Sequence, residues 1–256
     1  MTDLIAAAHG TADPRGIRVI HALTREIARQ RPGLPVSLGF VDVDRPALPS
    51  LVDRVVADSN QTVIVPLLLS SGYHVSTDVQ AEAHRRPHQV SAAGPLGPHP
   101  VLAQILADRL IEGLAGGGDR TTGSVADALG DGRRRFADRL RGVDSVVLAA
   151  AGSSDHRALL ACSRVAAELA AVVDRPVEVG CVSGAGERLG AVLARTSGRV
   201  AVATYLLAPG FFADRVAGLA AQAGAVATQP LGADPRLAAL ALHRYDEALR
   251  TAALTV

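Results

Sequence analysis

The chain is written twice. Residues 4–11, LIAAAHGT, match residues 146–154, VVLAAAGSS, with Ala8 on Ala150, His9 on Ala151 and Gly10 on Gly152. Residues 63–75, VIVPLLLSSGYHV, match residues 200–213, VAVATYLLAPGFFA, with Gly72 on Gly210 and His74 on Phe212. Residues 94–100, GPLGPHP, match residues 229–235, QPLGADP. The matches fall in the same order, and their offset shrinks from 142 to 138 to 135 residues. Duplication followed by small deletions produces that drift, so the 256 residues fold as two similar domains.

Each repeat alternates short apolar runs with helical patterns. In the first, strands are expected at Leu4 to Ala8, Val36 to Val41, Thr62 to Leu68 and, weakly, Gln89 to Ala93. The unbroken apolar character of the third run is that of a central parallel strand, covered on both faces. Asp13-Pro14 reads as a helix N-cap followed by proline at the first helical position. Ile17, Ile20, Leu23 and Ile27 then supply an apolar face at helical spacing. Further helices are expected at Ala47 to Ala57 and His99 to Leu114. The fold class is therefore α/β: two tandem duplicated domains, each a parallel four-stranded sheet flanked by helices. The glycines after Gly113 and the run Arg133-Arg134-Arg135 read as a linker with a solvated helix face. The expected domains are residues 1–114 and 143–256, joined by a linker at 115–142, with the site in the first and a degenerate copy in the second.

Composition narrows the function. The formal net charge is +1, too small an excess for a nucleic-acid-binding protein. The basic residues other than histidine are all arginine, which suits pairing with carboxylates but also follows from base composition. Cys162 and Cys181 have no zinc-ligand spacing and read as small buried hydrophobes. Residues 1–8 lack the basic segment of a signal peptide. The apolar stretch from Ala201 to Ala213 falls short of the roughly 20 residues of a membrane helix. A cytoplasmic protein with no membrane contact is expected.

The two halves differ at the positions where chemistry belongs. The first carries His9 and His74 in corresponding loops, and the second has Ala151 and Phe212. Core-packing histidines have no reason to be lost together. With strand order 2-1-3-4, His9 after the first strand and His74 after the third flank the switch point where ligands of such sheets bind. Two imidazoles suit a borderline divalent metal and leave coordination positions open for transfer. Gly10 and Gly72 allow sharp backbone turns beside them.

The succession His9-Gly10-Thr11, Gly39-Phe40-Val41-Asp42 and Pro66-Leu67-Leu68-Leu69-Ser70-Ser71-Gly72-Tyr73-His74, ending at Asp78, resembles the sirohydrochlorin chelatases, which are class II chelatases. The resemblance spans essentially the whole chain, since long members of that family are tandem duplications. It implies a lyase that inserts a divalent metal into the tetrapyrrole sirohydrochlorin, with Fe(II) giving sirohaem as the favoured reaction and Co(II) for corrinoid synthesis as the alternative. It implies His9 and His74 as the metal ligands, the metal being a substrate, with no organic cofactor. Insertion displaces two pyrrole N–H protons, so a base must stand nearby. The family commonly has glutamate where Asp42 stands. Asp42 suits either a role in proton removal or that of a loop acid, and Asp78 either orients His74 or starts a helix. Arg15, Arg45, Arg157 and Arg215 are candidates for pairing with the substrate carboxylates, or plain surface residues. Tyr73, Phe211 and Phe212 are candidates for stacking on the ring, with core packing the favoured reading of Phe212, and the duplication suggests a monomer. The same histidines would also serve a metal or tetrapyrrole carrier. A histidine phosphatase needs arginine where Ala8 stands, and no G-x-G-x-x-G follows the first strand.

Overall fold

The computed structural model describes residues 2–58, 61–70, 73–115 and 140–253, and the side chains of residues 73–76 and 253 lie outside that description. Nearly all of the expected linker lies outside it too. The described residues form two compact units.

The first unit comprises residues 1–98 and 232–256. Its strands are β1 (Thr2–Ala8), β2 (Val36–Phe40), β3 (Gln61–Pro66) and β4 (Val90–Ala92), all parallel, in the order β2-β1-β3-β4. β1 is central, and Leu4 to Ala8 are buried, as a strand covered on both faces requires. One face carries helices α2 (Leu48–Asp58) and α3 (Tyr73–Arg85), where Ile5, Ala7 and Ile64 pack against Leu48, Leu51, Val52, Val56 and Val79. The other carries α1 (Pro14–Gln30), whose buried stripe of Gly16, Ile20, Leu23 and Ile27 has helical spacing. Gly39 in β2 makes room for α2: a Cβ there would stand 2.9 Å from Leu51 Cδ2.

The second unit comprises residues 99–231. It repeats the frame with β5 (Ser145–Ala150), β6 (Val177–Cys181), β7 (Val200–Tyr205) and β8 (Val226–Ala227), parallel and in the order β6-β5-β7-β8. Helix α5 (His156–Val173) packs on β6. Helices α6 (Leu189–Arg195) and α7 (Phe211–Gln222) cover the other face, over Val147, Ala149 and Val202. Gly180 answers to Gly39, with its Cβ position 2.8 Å from Leu189 Cδ1.

The two remaining helices trade places, so the compact units cut across the boundaries of the sequence repeats. Helix α4 (Pro100–Leu114), assigned above to the first domain, packs on α5, β7 and β8 of the second unit. Helix α8 (Pro235–Ala253), assigned to the second, packs on α1, β3 and β4 of the first. Arg31 pairs with Asp246 at 2.6 and 2.7 Å, Arg244 Nε donates to Pro95 O at 2.9 Å, and Tyr245 Oη donates to Thr2 O at 2.7 Å. On its side, Arg109 donates to Leu231 O at 2.9 Å. An apolar helix face such as Leu102, Ile105, Leu106 and Leu110 buries equally well on either copy of a duplicated sheet, so periodicity alone cannot name its partner. Among the described residues, no helix is long and apolar enough to cross a membrane.

Candidate metal centre

His9 is the first residue after β1 and is exposed at the C-terminal edge of the first sheet. Because β1 lies between β2 and β3, the segments that follow all three strands meet at this edge. The link to β2 is direct. Val41 N donates to Ala8 O at 2.9 Å, and Asp42 N donates to His9 O at 3.1 Å. Asp42 is thereby held beside His9 through the main chain, with its own carboxylate exposed.

The turn after His9 is built by three residues. Gly10 has φ +96°, a conformation that L side chains rarely adopt. Thr11 N donates to Asp44 Oδ2 at 2.7 Å, and Asp13 N donates to Thr11 Oγ1 at 3.1 Å. Asp13 then caps α1, accepting from Arg15 N at 2.8 Å. The Arg15 guanidinium grips the same carboxylate, at 2.7 Å from Oδ2, and holds it below the usual carboxylate pKa.

His74 is the second residue of α3, the helix that follows β3, rather than part of a loop as the sequence suggested. The sequence signal for this helix is weak because its apolar stripe is thin: among its residues with described side chains, Val79 and Ala83 pack in the core and Glu82 is also buried. The side chain of His74 lies outside the described residues, as do Ser71 and Gly72. The backbone therefore places His9, Asp42 and the start of the His74 helix at one edge, around the β1/β3 switch point. Asp78 is exposed one turn along α3.

The second unit has the same turns with different side chains. Val182 N donates to Ala150 O at 2.9 Å and Ser183 N to Ala151 O at 2.8 Å, mirroring the bonds of Val41 and Asp42. Ser153, Asp155 and Arg157 reproduce the Thr11, Asp13 and Arg15 arrangement bond for bond. Residues 39–48, GFVDVDRPAL, thus stand on residues 180–189, GCVSGAGERL. Phe211 and Phe212, at the start of α7 where α3 has Tyr73 and His74, are 70% and 40% exposed and touch edge to face. This corrects the expectation that Phe212 packs in the core: residues at the start of a helix that follows a strand project beyond the sheet edge.

The other candidates divide plainly. All four candidate arginines are exposed, with Arg15 held by Asp13 and Arg157 by Asp155. His99 caps α4, its Nδ1 accepting from Val101 N at 3.2 Å. His21 lies edge-on to Phe40, and His84, His88 and His156 are exposed. Cys162 and Cys181 are buried and unbridged, and burial pushes the Cys162 thiol up to about 11. Asp44 was not singled out in the sequence. The signal for it was the match of 39–48 on 180–189, which turns Asp42 into Ser183 and Asp44 into Ala185.

Comparison with known proteins agrees with the doubled architecture. The family model CbiX matches residues 3–113 and again residues 145–248. A sirohydrochlorin cobaltochelatase of Methanothermobacter thermautotrophicus is 27% identical over 128 residues, covering 42% of this chain and 89% of that one. Among solved structures, SirB from Bacillus subtilis with Fe3+ superposes with a TM-score of 0.72 at 17% identity, over 96% of this chain and 95% of that one. CbiX, the terminal enzyme for biosynthesis of siroheme in denitrifying bacteria, gives 0.63 at 19% identity, over 96% and 99%. At these identities the two structures establish the fold.

Proposed function

The chain belongs to the CbiX family, and on that footing we propose that it inserts a divalent metal into sirohydrochlorin, with Fe(II) as the preferred ion and sirohaem as the product. The observation that carries this reading is the pairing of an exposed His9 with the His74 helix around the β1/β3 switch point, against Ala151 and Phe212 in the otherwise matching second unit. In this reading His9 and His74 hold the incoming ion. Two neutral imidazoles bind a borderline divalent metal and leave coordination positions open for the macrocycle nitrogens. The ion enters as two pyrrole N–H protons leave. Each imidazole that releases the metal becomes free to accept one, and the Asp42 carboxylate would take or relay a proton.

Cobalt insertion is the second reading, favoured by the relative named as a cobaltochelatase. Anaerobic absorbance spectroscopy of sirohydrochlorin with either ion separates the two. Faster conversion with Fe(II) than with Co(II), both well above the spontaneous rate, is the expected outcome. The reverse order favours the cobalt enzyme. Tetrapyrrole binding with no acceleration by either ion would leave a carrier and refute the enzyme.

A further inference from the structure

Superposing the two repeats residue by residue isolates one side chain that no part of the reaction above uses. In the second unit the turn after β5 is tied to the loop after β6 through the main chain. Ser153 and Ala185 form an antiparallel bridge, with Ala185 N donating to Ser153 O at 3.0 Å. In the first unit the corresponding residues are Thr11 and Asp44, and there the lock is a side chain: Asp44 Oδ2 accepts from Thr11 N at 2.7 Å. The frame around this lock is the same in both. Phe40 N reaches Pro46 O at 2.9 Å, and Cys181 N reaches Glu187 O at 2.7 Å, so both loops close over the same number of residues. The turn is also tighter in the second unit, where a Cβ on Gly152 would lie 1.8 Å from Ser183 O, against 3.0 Å from Asp44 Oδ2 for Gly10.

The difference has a direct consequence for His9. A main-chain bridge draws the turn down onto the neighbouring loop. A carboxylate interposed between them props the turn open, two residues from the imidazole. The carboxylate is present where the histidine is present, and both are replaced by alanine in the other half. We propose that Asp44 is a positioning residue: by accepting the Thr11 N–H it sets the height of the His9 turn above the sheet, and with it the aim of the imidazole at the metal. Residues that orient a ligand without touching the ion typically change affinity by about 10- to 100-fold when removed.

This inference rests on His9 being a metal ligand, so the experiment separates the two. Co(II) is titrated into full-length wild type, Asp44→Ala, Asp44→Asn and His9→Ala, following the visible absorption of the bound ion, with sirohydrochlorin affinity measured alongside. Asn keeps an oxygen in place to accept the Thr11 N–H. The expected result is a loss of about tenfold or more in Co(II) affinity for Asp44→Ala, most of it restored in Asp44→Asn, with tetrapyrrole affinity unchanged in both. Wild-type Co(II) affinity in Asp44→Ala, beside a clear loss in His9→Ala, overturns the positioning role alone. An equal loss in Asp44→Asn and Asp44→Ala overturns it in favour of a need for the charge itself. Unchanged affinity in His9→Ala overturns the ligand assignment and this inference with it.

Discussion

The two units carry the same sheet order, the same glycine beneath the second helix, the same capped turn after the first strand and the same closure of the loop after the second. The differences at the sheet edge include His9 against Ala151, Asp42 against Ser183, Asp44 against Ala185 and His74 against Phe212. The comparison teaches that the sheet, the loop closure and the helix cap recur in both units, while the tie on the turn after the first strand is a carboxylate in one and main chain in the other. In the reading proposed above, the chemistry sits on replaceable side chains, so that one frame can carry a site in one copy and lack it in the other.

The strongest way to break that comparison is to convert the first unit into the second. His9→Ala, and separately His74→Phe, are expected to reduce metal insertion to the spontaneous rate while leaving the melting temperature within a few degrees, because the second unit tolerates those residues in the same frame. A variant that keeps most of its activity removes that histidine from the site. The next effect is on stability and runs the other way. Gly152→Ala places a methyl into Ser183 O and forces an L residue to φ +90°, and is expected to cost more than about 4 kcal/mol by denaturant unfolding. Gly10→Ala meets the Asp44 carboxylate at 3.0 Å and the main-chain nitrogens of Val43 and Asp44 at 3.2 Å, milder contacts than that at Gly152, and is expected to cost about 1–3 kcal/mol. Equal costs would mean the two turns are not locked differently.

The smallest effect concerns the exchanged helices. Arg31 lowers the pKa of Asp246, so the pair stabilises the first unit above the ordinary carboxylate range, and that contribution is lost as pH falls through the lowered pKa. Both side chains are about a third exposed, so the effect is modest. Asp246→Asn is expected to cost about 0.5–1 kcal/mol at pH 7. The difference from wild type is expected to vanish in strong acid, as read from parallel urea titrations. A difference that persists at low pH would assign the loss to packing.

Much of this was legible before any coordinates. The duplication and His9 at a strand end follow from matched segments and apolar runs, whereas the order 2-1-3-4 is supposed from the doubly wound pattern and is the order both sheets have. The exchange of α4 and α8 was not legible, because the Leu102, Ile105, Leu106 and Leu110 face is specific for a sheet but not for which copy of it. α3 was missed for want of a full apolar stripe, which displaced His74 from a loop to a helix start. The exposure of Phe212 went against its hydrophobicity, since residue type alone does not show that a helix begins beyond the sheet edge. Asp44 escaped notice because its role is a hydrogen bond across 33 residues of sequence, visible only once the two turns stand side by side.

The central claim is that one unit of the two carries the metal chemistry, and equilibrium dialysis against Co(II) tests it most directly. One tightly bound ion per chain, lost in His9→Ala, is the predicted result. Two equivalent ions per chain, or a single ion that survives His9→Ala, would contradict it.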